Sequence, residues 1–124
     1  MKKICMLLVM MLLCITLSAC GSKMNVDMDL TKNDTLASST ITNINANPLK
    51  YKGYTLKVRA KFQSANDYYT LNEIAECCNW SFEVKLDDGL KTPKNNKNVV
   101  ASGTIITAKK SGKTTWYMLI NEFE

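Results

Sequence analysis

Residues 54–63, YTLKVRAKFQ, decide the fold class. Tyr54, Leu56, Val58, Ala60 and Phe62 alternate with Thr55, Lys57, Arg59, Lys61 and Gln63. Successive strand side chains point to opposite faces, so this period of two predicts a strand with one buried and one wet face. The next residues, Ser64-Ala65-Asn66-Asp67, have turn chemistry. Tyr68 to Ile74 then reads as a second strand with poorer alternation. A third strand follows, in which Trp80, Phe82, Val84 and Leu86 alternate with Ser81, Glu83, Lys85 and Asp87. Asp87-Asp88-Gly89 ends it, and residues 90–98 (LKTPKNNKN) read as a solvated loop.

Val99 to Ala108 and Thr114 to Phe123 form a final hairpin across residues 109–113 (KKSGK). Both strands carry apolar residues on two faces, which predicts central strands or strands covered by the N-terminal segment. Gly112-Lys113-Thr114 has the ending of a phosphate-binding loop, but that pattern needs glycine at position 107, where Thr107 stands, and a following helix. Ser111-Gly112 is therefore read as a hairpin turn. Five strands at this spacing suggest a small five-stranded antiparallel barrel, closed or nearly so, which leaves few exposed edges. Before it, residues 34–47 (DTLASSTITNINAN) predict a short helix capped by Asp34, with Leu36, Ala37, Thr40, Ile41 and Ile44 toward one face. Asn47-Pro48 stops it.

The N-terminus has a different character. Lys2 and Lys3 precede an uncharged apolar run, Ile4 to Leu17, and then Leu17-Ser18-Ala19-Cys20. A basic start, an apolar stretch and small residues at a cut site are the parts of a secretory signal. The last four residues resemble the lipobox of bacterial lipoproteins. That resemblance implies diacylglycerol transfer to the Cys20 sulfur and cleavage between Ala19 and Cys20; no cofactor other than this covalent lipid is expected. The expected organisation is a signal peptide over 1–19, a lipidated flexible tether over 20–33 and a β domain over 34–124. The expected address is the extracytoplasmic face of a cell membrane, held by acyl chains such as palmitate, with membrane lipid as the first partner. An uncleaved membrane anchor is the alternative, but the run is short of the roughly 20 residues that span a bilayer.

Two of the sixteen basic residues lie in the leader, leaving fourteen against eleven acidic ones. That surplus does not make a nucleic acid the expected partner; an envelope component or another protein is expected instead. The chain has no histidine. Serine or cysteine hydrolase units that need an imidazole are excluded, as are zinc sites that need one. Asp67, Glu73, Glu76, Glu83, Asp87 and Asp88 show no pairing readable from spacing, and no catalytic constellation is found.

Residues 47–63 (NPLKYKGYTLKVRAKFQ) resemble the opening of small OB-fold lipoproteins and other tRNA-anticodon-binding-like domains. The shared pattern is Asn-Pro-x-x-Tyr-x-Gly followed by an alternating strand. Glu76-Cys77-Cys78 leading into Trp80-Ser81-Phe82-Glu83-Val84 is similar to a Cys-Cys step in lipoproteins of anaerobic Firmicutes. Pro93, Val99 to Gly103 and Trp116-Tyr117 stand where that pattern continues. The resemblance covers residues 47–124 and implies a fold and an address, not an activity. The chain departs from it in having one proline in the loop after the third strand and no helix there.

Two features are candidate sites. Cys5 and Cys14 leave with the signal and Cys20 is lipidated, so Cys77 and Cys78 are the remaining thiols. Strand phase puts Cys78 toward the core with Trp80 and Phe82, and Cys77 outward with Asn79 and Ser81. The functional reading is a thiol-based redox or soft-metal, Cu(I)-type, site. The plainer readings are a structural disulfide, or one buried thiol beside an exposed one. Lys57, Arg59 and Lys61, with Lys85, are the second candidate. With Tyr68, Tyr69, Trp80 and Trp116 they would make a groove of cations and stacking rings for an oligonucleotide or glycan. Otherwise they are an ordinary solvated strand face. The function expected from all this is a membrane-anchored, non-enzymatic binding or interaction module.

Overall fold

In the computed structural model, which describes residues 26–124, the alternating segment forms strand β2 (Thr55–Ala65). Leu56, Val58, Ala60 and Phe62 are fully buried, as their period requires. Tyr54 precedes the strand and is exposed. Asn66 and Asp67 both adopt positive φ, at 50° and 64°. These residues tolerate the left-handed region better than most, and two such residues make the tight turn that matches strand twist. The turn returns the chain into β3 (Tyr68–Asn72), antiparallel to β2. Strand β4 (Ser81–Leu86) pairs antiparallel with β3. The final hairpin is β5 (Lys97–Lys110) and β6 (Lys113–Phe123), turning at Ser111-Gly112 with φ of 50° and 77°.

The mainly β architecture is as expected, but the sheet is mixed rather than antiparallel, and it has six strands rather than five. The added strand is β1 (Met28–Asp29), parallel to β2. Leu30 follows it, donates its N–H to Lys57 O at 2.8 Å and is buried. Residues 28–30 therefore belong to the packed structure and not to a flexible tether. The scattered apolar residues Met28 and Leu30 were too few to show a period.

The second parallel pair, β4 with β6, follows from parity. β2 pairs with β3, β3 with β4, β4 with β6, β6 with β5, and β5 returns to β2. An odd circuit cannot alternate direction throughout, so one neighbouring pair must run the same way. Strand β5 can serve two neighbours because it is long: Lys97–Thr104 faces β2 and Ala101–Lys110 faces β6. The strand pairing shifts register between Ser102 and Gly103. A side chain at Gly103 would run into the Leu119 backbone, so glycine is required there by close approach.

Helix α1 (Asp34–Ala46) is capped by Asn33, whose Oδ1 accepts the Leu36 N–H at 3.0 Å. Asp34, the expected cap, lies in the first turn instead. Ala37, Ile41 and Ile44 are buried, whereas Leu36 is exposed. The helix thus presents its Ile41 side to the strand core, where Leu71, Val84, Ile105, Met118 and Ile120 complete the apolar interior. A 3₁₀ turn, Pro48–Tyr51, leads into β2. Among the described residues, no helix is long and apolar enough to cross a membrane.

Candidate functional site

Lys57, Arg59 and Lys61 lie on the outer side of β2, because their alternating neighbours fill the core. Lys57 Nζ reaches Glu124 Oε1 at 2.8 Å, and that hydrogen bond holds its ammonium above the ordinary lysine value. Arg59 is exposed and Lys61 half-buried. Tyr68 is exposed on the outer side of β3, but the other three rings expected to join them are elsewhere. Tyr69 packs against Phe62 at a centroid distance of 5.4 Å, on the other side of β2. Trp80 stacks on Phe82 at 5.8 Å, and Phe82 on the buried Trp116 at 4.9 Å. Lys85, on a strand that does not pair with β2, caps the Tyr117 ring at 4.5 Å. The cations and the stacking rings therefore do not form one groove.

A different concavity exists where β3, β4 and β6 run side by side. It is a cleft of about 370 Å³ lined by Tyr68, Thr70, Ser81, Glu83, Thr115 and the edges of Phe82 and Trp116, among others. Strand alternation explains the lining: with Leu71, Phe82, Val84 and Met118 inward, Thr70, Ser81, Glu83 and Thr115 point outward. One floor of the cleft is fixed by the Trp116 Nε1–H, which donates to Asn45 Oδ1 at 2.8 Å and ties β6 to the end of α1. Glu83 is the charged residue in the lining, with Lys110 Nζ 3.9 Å from its carboxylate. With Lys110 exposed and the separation near the limit of an ion pair, the pair contributes little energy. The cleft thus offers hydroxyls, ring surface and one carboxylate, with no cation lining it. That surface suits a neutral or weakly polar ligand better than a polyanion.

The cysteines occupy the loop between β3 and β4. It is irregular from Glu73 to Trp80, so strand phase does not extend to it, and Cys78 is exposed together with Cys77 instead of facing the core. Positive φ at Glu76 (58°) and Asn79 (50°) turns the chain back on itself. The turn wraps around one carboxylate. Glu73 Oε1 accepts the Cys77 and Cys78 N–H groups at 2.9 and 3.0 Å, while Oε2 accepts those of Cys78 and Trp80 at 2.9 and 3.4 Å. Cys77 and Cys78 are joined as a disulfide, with Cα atoms 3.8 Å apart. Cys77 Sγ also lies 2.9 Å from Glu73 Oε1. Among the described residues, Glu73, Cys77 and Cys78 form a group whose oxygen and sulfur atoms fall within 4.8 Å of one another. In the disulfide these sulfurs offer no thiolate to a metal.

Glu73 was not legible as a site residue. It stands four positions before Cys77, and only the left-handed turns at Glu76 and Asn79 bring its carboxylate under the loop. Ala19 and Cys20, the expected cleavage and lipidation positions, lie outside the described residues. No protein-family model matches the chain, and no curated protein matches it.

Proposed function

We propose that the protein is a lipid-anchored, non-enzymatic binding module of OB-like type, held at the outer face of a membrane through Cys20. The observation that carries the fold part is the strand circuit β2-β3-β4-β6-β5-β2 with one parallel pair. A five-stranded, partly open Greek-key barrel of the OB class has such a circuit, and it uses its central strands and hairpin loops to bind oligonucleotides and oligosaccharides. Anchoring is supported by the Leu17-Ser18-Ala19-Cys20 lipobox.

The ligand face in this reading is the β3–β4–β6 cleft and not the β2 cations. Its threonine, serine and tyrosine groups, with a lone carboxylate, favour a neutral hydroxyl-rich chain such as a glycan over a phosphate backbone. Lys57, already paired with Glu124, is poorly placed to release counterions to a nucleic acid.

The test is a fluorescence titration of the full chain in detergent with a neutral cell-wall-type oligosaccharide and, separately, with a single-stranded oligonucleotide. The expected result is a saturable change with the oligosaccharide that Tyr68→Ala abolishes, since Tyr68 is 52% exposed at the cleft. Binding of the oligonucleotide that depends on Arg59, with no response to the oligosaccharide, would sink the assignment.

A further inference from the structure

The Glu73–Trp80 loop contributes no strand and lines no part of the cleft at its cysteines, yet one carboxylate organises it. Adjacent cysteines close an eight-membered ring, and their Cα separation of 3.8 Å is below the 4.4–6.8 Å usual for disulfides. Such a bridge is more reducible than a relaxed one. Both cysteines are exposed, so a dissolved thiol can reach them.

We propose that Cys77–Cys78 is a reversible thiol–disulfide exchange site for external thiols, and that Glu73 is the positioning residue that biases the pair toward the dithiol. Cys77 Sγ lies 2.9 Å from Glu73 Oε1. In the dithiol, the Cys77 S–H donates to that oxygen, a hydrogen bond to an anionic acceptor. In the disulfide the same sulfur has no proton, and its lone pairs face the carboxylate at that distance. The charge on Glu73 therefore favours the reduced pair. It also opposes negative charge on Cys77, which leaves Cys78 as the more reactive sulfur once the bond is open.

An external thiolate R–S⁻ attacks one sulfur of the pair, forming a mixed disulfide and breaking the Cys77–Cys78 bond, and the freed sulfur takes up a proton. A second R–S⁻ attacks the R-bearing sulfur, releasing R–S–S–R and the second cysteine, which is protonated in turn. The protein pair gains two electrons and two protons, and two R–SH are oxidised to R–S–S–R. The site does not depend on the ligand assigned to the cleft.

The experiment equilibrates the full-length chain, in detergent, across a series of glutathione and glutathione-disulfide ratios. Thiols are trapped by alkylation and counted by mass, with Trp80 fluorescence as a second signal, since its backbone N–H is tied to Glu73 and it stands two residues from Cys78. The native chain is expected to pass from disulfide to dithiol within the series without denaturant. Glu73→Gln, which keeps an acceptor oxygen but loses the charge, is expected to shift the equilibrium about tenfold toward the disulfide, because a hydrogen bond to a charged acceptor exceeds one to a neutral acceptor by about that factor. Glu76→Gln, three residues along the same loop, is expected to shift it little.

A bridge that opens only after unfolding overturns the proposal. So does a Glu73→Gln variant whose equilibrium is unchanged or moves toward the dithiol. If that variant fails to fold, the alkylation rates of the two thiols in the reduced, unsubstituted chain decide: Cys78 faster than Cys77 supports the role of Glu73, and equal rates or a faster Cys77 overturn it.

Discussion

Replacing Gly103 with alanine tests the packing of the sheet at its most crowded point. Gly103 sits between two partners, Leu56 on β2 and Ile120 on β6, so β5 cannot retreat from one without leaving the other. A Cβ there would strike the Leu119 carbonyl oxygen and come within 2.8 Å of the Leu119 carbonyl carbon and 3.0 Å of Ile120 Cα. All three are backbone atoms, so no side-chain rotation relieves the clash. Ordinary contact begins near 3.4 Å, and the strands must part by about 1 Å over at least one residue pair to clear the Leu119 oxygen. Overpacking of a fitted interior costs about 1–3 kcal/mol. One or two weakened ladder hydrogen bonds add about 1 kcal/mol each. Alanine returns roughly 0.4–1 kcal/mol by restricting the unfolded chain. The net expectation is a loss of about 3 kcal/mol, against a total of roughly 5–15 kcal/mol for a domain of this size. The melting temperature should fall by about 12–24 °C, at 4–8 °C per kcal/mol. Urea and thermal unfolding followed by circular dichroism measure both. Gly89→Ala is the control: φ is +85° there but nothing lies within 4 Å, so backbone strain of about 1–2 kcal/mol is all it should cost. A Gly103→Ala loss below about 0.5 kcal/mol, inside the range of an ordinary surface change, would refute the close-approach reasoning.

Ile41 is fully buried at the face of α1 turned to the strands, so Ile41→Ala should lower stability by about 2–5 kcal/mol in the same melts, whereas Leu36→Ala, at an exposed position, should change it by less than about 0.5 kcal/mol. Thr31 sets the acidity of Asp29: its hydroxyl and then its backbone N–H, donating at 2.6 and 3.0 Å, hold that carboxyl below its ordinary value of 3.8, with Lys57 adding a smaller pull. Because the folded value is the lower one, this stabilisation is present above the ordinary value and is lost as pH falls through the folded value. Thr31→Ala should raise the Asp29 midpoint in an NMR carboxyl titration and flatten the loss of stability below about pH 4; an unmoved midpoint would contradict the assignment.

The strands of this fold were legible where one face is wet and one dry. Leu56, Val58, Ala60 and Phe62 announce β2 without any other information, and Phe82 and Val84 announce β4. Ser111-Gly112 marked its hairpin because left-handed turns favour few residue types. Strand partners were less legible. Nothing local distinguishes a β6 that lies beside β4 from one that does not, and the parallel pair follows from closing an odd circuit. Strand β1 escaped notice because two residues cannot display a period. The cap shifted from Asp34 to Asn33 because both side chains can accept the same kind of N–H, and the choice falls to the entering backbone. At the candidate sites, the phase carried back from Trp80 failed at Cys78 because a left-handed Asn79 stands between them. The cleft and the Glu73 carboxylate both depend on contacts between segments, which residue type and spacing do not encode.

The most direct measurement is the mass of the chain's N-terminal peptide after purification from membranes of a bacterium that expresses it. The expected result is a first residue of Cys20 bearing diacylglycerol, and loss of both the lipid and the membrane fraction in Cys20→Ser. A chain that begins at Met1, or an unmodified Cys20 in the membrane fraction, would contradict it.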